Sequence, residues 1–253
     1  MSKVSFDFSG ERFVVTGASS GMGRQITVEL VEAGATVLAI ARREERLAEL
    51  SQKYPGKIVP GVLDVCDTEK FSETVNSFVG EHGKLHGAVH AAGIFGNTPL
   101  RAYDETMARK IMDVSFWSGI RLMQLVNKKK FSEEGCSSVL FSSVAAAIGE
   151  KSNFAYSAAK IALQAAVRSL AKEIYTRKNR INTVSPGWVH TEMTKHEEEQ
   201  SSVLPKFIDW HLLGTGEPED VSGVVLFLLS DRARWITGAD FVVDGGYLMG
   251  GYN

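Results

Sequence analysis

Residues 12–23 read RFVVTGASSGMG. A short β-branched run ends at Thr16, a turn carrying Gly17, Gly21 and Gly23 follows, and a helical pattern with Ile26, Leu30 and Val31 on one side begins at once. The spacing is Gly-x-x-x-Gly-x-Gly. Gly17 permits a tight turn, Gly21 lets the backbone approach a pyrophosphate, and Gly23 lets helix and strand pack closely. A helix that starts here offers its unpaired N–H groups to that pyrophosphate. Ser19, Ser20 and Met22 complete the turn. A glycine turn alone is a weak signal; placed between a first strand and a first helix it predicts a dinucleotide site.

The rest of the chain continues the alternation. ATVLAIA (35–41), KIVPGVLDV (57–65), GAVHAAG (87–93), SSVLFSS (137–143), RINTVSPG (180–187) and ADFVVDGG (239–246) read as six further strands. Helical patterns separate them: REERLAELSQK, then TEKFSETVNSFVGEHG with Phe71, Val75, Phe78 and Val79 on one side. A long helix-like region precedes the fifth strand, and a helix runs from about Ala155 to Thr176. The strands are apolar throughout rather than alternating, which marks a parallel sheet covered on both faces. Right-handed crossovers then give an α/β, doubly wound fold of seven parallel strands with helices on both sides. No repeat, low-complexity tract or linker divides the chain, so residues 1–253 read as one domain.

Composition narrows the function classes. A formal net charge of -2 leaves no electrostatic footprint for nucleic acid. Lys128, Lys129 and Lys130 read as a solvated helix end rather than a phosphate-tracking patch. Cys66 and Cys136 stand apart, with no metal-ligand spacing and no His cluster, so no metal is expected and reduced thiols in a cytoplasmic protein are. MSKVSFDFSG has no apolar signal core. The most apolar stretch, VSGVVLFLLS (221–230), is half the roughly 20 residues that span a bilayer, so no membrane partner is expected.

The end of the second strand bears on cofactor choice. An NAD site places Asp or Glu there, for the ribose hydroxyls; this chain has Ala41, Arg42 and Arg43. Guanidinium groups pair with a 2′-phosphate, which predicts NADP(H). The alternative is NAD(H), with Glu44 or Glu45 serving the ribose and both arginines on the surface. Further on, Pro186 to Pro218 is one long irregular stretch. It reads as a lid over 190–217, or as an ordinary surface excursion.

YSAAK sets Tyr156 and Lys160 one helical turn apart on a shared face. Reducing a carbonyl leaves charge on its oxygen, so a donor must deliver a proton there. A tyrosine near a cation becomes a better acid, and the ammonium can also hold ribose hydroxyls. Taken alone, the pair is equally a turn of an amphipathic helix.

With TGASSGMG, HAAG, the serine pair 142–143, YSAAK and SPGWVHTEM in this order, the chain resembles the short-chain dehydrogenase/reductase family from about Arg12 to Gly246. The resemblance implies a single Rossmann domain, a small carbonyl or alcohol substrate, and assembly as a homotetramer or homodimer. It implies that Gly17, Ser19, Ser20, Gly21, Met22, Gly23, Arg42 and Arg43 hold the cofactor. It also implies that Asp64 and Val65 touch the adenine, and that Ala91, Ala92 and Gly93 form the family's NAG motif behind a variable His90. Pro186, Gly187, Val189 and Thr191 would line the nicotinamide, and Asp244 and Gly245 match a structural motif. The family's serine–tyrosine gap of thirteen residues selects Ser143 over Ser142. Ser143, Tyr156 and Lys160 are thus the implied catalytic residues, with Ser143 polarising the carbonyl.

One position departs. The family often carries a catalytic asparagine before the fifth strand, within VNxxG; here DVSFWSGIRLMQL puts Ser115 in its place. Serine can bond back to its own helix and bend it, but it lacks the amide. Phe95, Ile148, Phe154 and Trp188 are candidate pocket residues, with Phe207, Trp210 and His211 from the lid. The chain is similar to 3-oxoacyl-carrier-protein reductases, yet Glu134 lies where those often put a basic residue, with Arg177 nearby. A cofactor-binding sensor with vestigial catalysis is the alternative from another class.

Overall fold

Strands buried on both faces read as near-continuous apolar runs, and β1 (Arg12–Thr16) and β2 (Thr36–Ala41) show why. Phe13, Val15, Val37 and Ala39 enter one core, while Val14, Leu38 and Ile40 enter the other. Their parallel register sets Val14 beside Leu38 and Val15 beside Ala39, so each face stays continuous. The computed structural model describes residues 4–195 and 208–250.

Five more strands complete the sheet: β3 (Ile58–Val62), β4 (Leu85–His90), β5 (Ser132–Phe141), β6 (Arg180–Pro186) and β7 (Asp240–Val243). All pairings are parallel, in the order β3-β2-β1-β4-β5-β6-β7. The first core holds apolar faces of α1 (Gly21–Glu32), α2 (Glu44–Lys53) and α8 (Pro218–Leu229). The second holds α3 (Thr68–His82), α5 (Ser118–Val126) and α7 (Phe154–Ile174). After β3 the chain crosses back to lay β4 beside β1. Strand order reverses there, and the loops leaving β1 and β4 diverge to open a crevice beyond the strand ends.

Local chemistry starts the helices. Asp67 caps α3 by accepting the Lys70 N–H at 3.1 Å. Asp104 caps α4 (Glu105–Met112) through the Met107 N–H at 3.1 Å. Pro218 opens α8, where the Asp220 carboxylate accepts the Glu217 N–H at 2.7 Å. The apolar run 221–230 forms most of that buried helix. Among the described residues no helix is long and apolar enough to cross a membrane.

Several boundaries differ from the sequence reading. β5 begins at Ser132, and its pairing with β4 shifts between Leu85 and Gly87. It ends at Phe141, which leaves Ser142 and Ser143 on the loop beyond it. β3 ends at Val62, so Asp64 and Val65 also lie past a strand end. The region before β5 is α4, a π-helical turn (Asp113–Trp117) and α5 rather than one regular helix. The ends of the irregular stretch after β6 are fastened together. His190 N bonds Gly216 O at 2.8 Å and Gly216 N bonds Trp188 O at 2.9 Å. The middle of the expected lid, including Phe207, lies outside the described residues.

Candidate active site

Gly17 adopts φ +72° and sits hard against the loop after β4: a Cβ there would stand 2.9 Å from the backbone of Ala91 and Ala92. A Cβ on Gly23 would lie 2.4 Å from the Gly17 carbonyl oxygen, so only glycine lets α1 pack on the turn. Thr16 Oγ1 accepts the Ala92 N–H at 3.3 Å and ties the two loops. The resulting groove is lined by Gly17 and the run from Ser19 to Gly23, by Arg42, Arg43, Asp64 and Val65, by Ala91 to Gly93, and by Thr191. Apart from Pro186, Gly187, Val189, Tyr156 and Lys160, these are the positions read as cofactor-binding. Ile40, Ala41, Leu63, Ile94, Val114 and Met193 supply the apolar walls that sequence reading missed. An open helix N-terminus faced by a glycine cradle and flanked by arginines suits a dinucleotide phosphate.

The two arginines differ. Arg42 is exposed at the tip of β2, while Arg43 precedes α2 and turns back over the glycine turn. Its Nε and NH2 donate to Ser19 Oγ at 3.2 and 3.0 Å, NH2 donates to Ser20 Oγ at 2.5 Å, and NH1 pairs with Glu192 Oε2 at 2.6 Å. Ser20, at the N-cap of α1, makes no side-chain capping bond to its own helix. Arg46 NH1 also pairs with Glu192. The Glu192 carboxyl is held below its usual range by these hydrogen bonds.

Tyr156 and Lys160 share the face of α7 that looks toward Ser143. Lys160 is buried, with Nζ 5.4 Å from the Tyr156 ring centre and donating to Phe141 O at 2.7 Å. Burial pulls the ammonium down to about 8. It pushes the Tyr156 phenol up to about 12, against the hydrogen bond from Ser143, which lowers it, and with Glu150 raising it. The expected lowering of Tyr156 by Lys160 is not what the site shows: desolvation dominates, and the lowering comes from the Ser143 hydrogen bond instead. Phe95 packs edge-on to Tyr156 at 5.4 Å.

Ser143 and Ser142 part company at the end of β5. Ser143 lines a pocket with Tyr156, while Ser142 Oγ faces inward and donates to the Lys160 carbonyl at 3.0 Å. Gln164, one turn past Lys160, spreads its amide protons over Ser142 Oγ, Ser185 Oγ and Asp240 Oδ2, each at 3.1 Å. Serine at 142 thus fixes the helix and serine at 143 faces the pocket.

Ser115 lies in the π-helical turn, fully buried, its hydroxyl without a partner among the described residues. Its backbone carbonyl faces His90 Nε2 at 3.3 Å, and Ser118 Oγ lies 3.4 Å from the same nitrogen. His90 Nδ1 meets Thr16 Oγ1 at 2.9 Å. Burial, with the Lys160 charge second, pushes His90 down to about 3, so the ring is neutral. His90 was read only as a variable position; nothing in its sequence neighbourhood announces this network.

The pocket before Tyr156 is lined by Phe95, Ser143, Val144, Glu150, Gly187, Trp188, Met193 and Thr194. Phe95 and Trp188 are where the sequence put them. Ile148 and Phe154 are not in it: Ile148 is half-exposed at the end of α6 (Ala145–Ile148), and Phe154 packs on Tyr103 at 5.7 Å on the outer face. His211 is buried and stacks on Tyr247 at 4.7 Å, and its Nε2 accepts the Trp188 N–H at 3.0 Å. It supports the loop rather than lining the pocket. Trp210 likewise leans on Tyr247, at 6.0 Å. A Cβ on Gly187 would strike Asp244 Cα at 2.8 Å, which explains the glycine. Val189 is buried behind the bridge to Gly216, and Pro186 ends β6. Glu150 was missed; it accepts Asn153 Nδ2 at 3.2 Å. Among the described residues no His, Cys, Asp and Glu cluster could hold a metal.

A family model described as enoyl-(acyl carrier protein) reductase matches residues 17–248. The chain is 31% identical over 245 residues to a 3-oxoacyl-acyl-carrier-protein reductase of Thermotoga maritima, covering 95% of this chain and 98% of that one. It is 33% identical over 247 residues to L-xylulose reductase of Caenorhabditis elegans, covering 96% and 97%. The fold is similar, with TM-score 0.90 and 26% identity, to a short-chain dehydrogenase/reductase (glucose/ribitol dehydrogenase) structure from Brucella melitensis, covering 96% and 99%.

Proposed function

The chain belongs to the short-chain dehydrogenase/reductase family of oxidoreductases, which interconvert CH–OH and C=O groups, and from that premise we propose that it reduces a ketone or aldehyde with NADPH. The observation that carries this reading is the Tyr156 phenol, hydrogen-bonded by Ser143, lining one pocket with it, and backed by the buried Lys160 ammonium. In this reading the α1 N-terminus and glycine turn hold the pyrophosphate, and Arg42 and Arg43 receive the 2′-phosphate. Asp64 and Val65 border the adenine, Lys160 holds the ribose, and Pro186, Gly187, Val189 and Thr191 border the nicotinamide. When bound, the cofactor supplies the hydride. Tyr156 delivers the proton to the carbonyl oxygen, Ser143 Oγ orients that oxygen, and Lys160 adds positive charge behind them.

The lining supports a substrate class. Phe95, Val144, Trp188 and Met193 make apolar walls, and Glu150 adds a carboxylate. That charge opposes an anionic substrate and favours a neutral, hydroxylated ketone. The carrier-protein reading has less support. Glu134 pairs with Lys178 at 3.0 Å, and the Arg177 guanidinium is spent on Asn127, Ser132 and Glu133 oxygens. Assembly as a homotetramer or homodimer is in keeping with Trp117 at the end of the π-helical turn and Phe154 and Ile161 on α7, each 42–49% exposed. Free Cys66 and Cys136 are in keeping with a cytoplasmic location.

NADPH oxidation across neutral hydroxylated, apolar and carboxylated ketones tests the reading, for wild type, Tyr156→Phe and Glu150→Gln. Wild type turns over the neutral ketones and Tyr156→Phe does not; Glu150→Gln improves carboxylated ketones about tenfold with apolar ones unchanged. Equal oxidation by wild type and Tyr156→Phe removes Tyr156 as the acid. Tight NADPH binding without turnover of any ketone favours the sensor reading.

A further inference from the structure

Glu192 lies six residues beyond the end of β6, and its carboxylate reaches Arg43, between β2 and α2, and Arg46, in the first turn of α2. Oε2 is 2.6 Å from Arg43 NH1, and Oε1 pairs with Arg46 NH1. Its neighbours Thr191 and Met193 line the cofactor groove from the same side. Thr191 Cγ2 is the atom that a Cβ on Gly21 would meet at 3.0 Å, so this segment sits on the glycine turn. Thr194 Oγ1 secures it, accepting the Thr191 N–H at 2.8 Å and bonding Val189 O at 2.9 Å. Glu192 is therefore delivered to the arginines by a fastened turn.

The donors of Arg43 are almost fully spoken for. Nε and NH2 serve the hydroxyls of Ser19 and Ser20, and NH1 serves Glu192. A phosphate seeking this guanidinium must share or replace the carboxylate, and it meets a like charge. The strand tip offers Ala41, Arg42 and Arg43 with no acid; Glu192 brings an acid to the same place from 149 residues away.

We propose that Glu192 is a cofactor-selectivity residue: by pairing with Arg43 and Arg46 it competes with a ribose 2′-phosphate for the guanidinium, and it narrows the discrimination between NADP(H) and NAD(H). This rests on the reading of Arg43 as the 2′-phosphate residue. Both ion pairs are part-exposed, so each is modest and weakened by salt. The Arg43 and Arg46 hydrogen bonds hold the Glu192 carboxyl below its usual range, in keeping with the pairing.

Titration calorimetry at low salt with 2′,5′-ADP and with 5′-ADP tests this without any substrate. Glu192→Gln is expected to tighten 2′,5′-ADP about fivefold, with 5′-ADP unchanged within about twofold. Adding Arg43→Ala to Glu192→Gln is expected to abolish the gain. Unchanged or weaker 2′,5′-ADP in Glu192→Gln, with wild type still preferring it over 5′-ADP, overturns the competition and leaves the phosphate assignment standing. Equal affinity for the two nucleotides in wild type and Glu192→Gln overturns both.

Discussion

Ser115 and Lys160 meet across one backbone atom. A methyl group on Gly93 Cα would stand 3.6 Å from Ser115 Oγ and 3.5 Å from Lys160 Nζ. The hydroxyl is buried and unpartnered among the described residues, and the ammonium spends one bond on Phe141 O. Leaving a buried hydroxyl unpaired costs about 1–3 kcal/mol, so it persists against a stability gradient. Ser115→Ala is expected to leave the melting temperature unchanged or raise it while lowering kcat about tenfold. Calorimetry beside steady-state rates separates the two; a parallel fall in both makes the residue structural.

In the proposed mechanism, protonation of Tyr156 sets the direction of easy chemistry. A phenol pushed up to about 12 is an acid at neutral pH and a base only far above it. Carbonyl reduction is expected to be level through neutral pH and to decline above about 8, where Lys160 loses its charge. Alcohol oxidation is expected to climb with pH through that range. Tyr156→Phe is expected to lower reduction by about 10²–10⁴ with unchanged calorimetric binding of 2′,5′-ADP. An oxidation profile flat from pH 7 to 10 would contradict the acid assignment.

His90 should make the fold acid-sensitive. Its folded value, about 3, lies below the ordinary 6.5. The unfolded chain therefore binds the proton first, and stability present above pH 6.5 drains away as pH falls toward 3. Between pH 7 and 5 the loss is about 2 kcal/mol for this group. Urea unfolding at both pH values, for wild type and His90→Asn, reads it. An equal pH dependence in the two proteins removes His90 as the source.

The sheet was legible because parallel strands covered on both sides leave no polar alternation to confuse. Val14, Val15, Leu38 and Ala39 were bound to be apolar whichever face they served. The glycine turn was legible for a steric reason, the 2.4 Å approach that Gly23 must allow. What escaped depended on distant partners. Arg42 and Arg43 are adjacent in sequence, and only the bend after β2 turns Arg43 toward Ser19. Glu192, Glu150 and His90 acquire roles from residues that the chain brings near only after folding. His211, Trp210, Ile148 and Phe154 misled because aromatic or apolar character does not say which side of a loop a residue faces. Ser115 drew notice as a departure from the family pattern, but the π-helical turn around it had no compositional mark.

Gln164 gives the edge of the sheet a mechanical connection to the Lys160 turn of α7. Its amide grips Asp240 on the last strand and Ser142 beside the Lys160 carbonyl, and Asp240 also accepts from Thr183 at 2.6 Å and Ser185 at 2.8 Å. Strain placed on β7 by a tag, fusion or proteolytic cut is expected to reach the helix turn bearing the ammonium through this cross-brace. The carboxy-terminal edge is therefore a poor place to attach cargo, and an immobilised enzyme would be better tethered through its amino-terminal side.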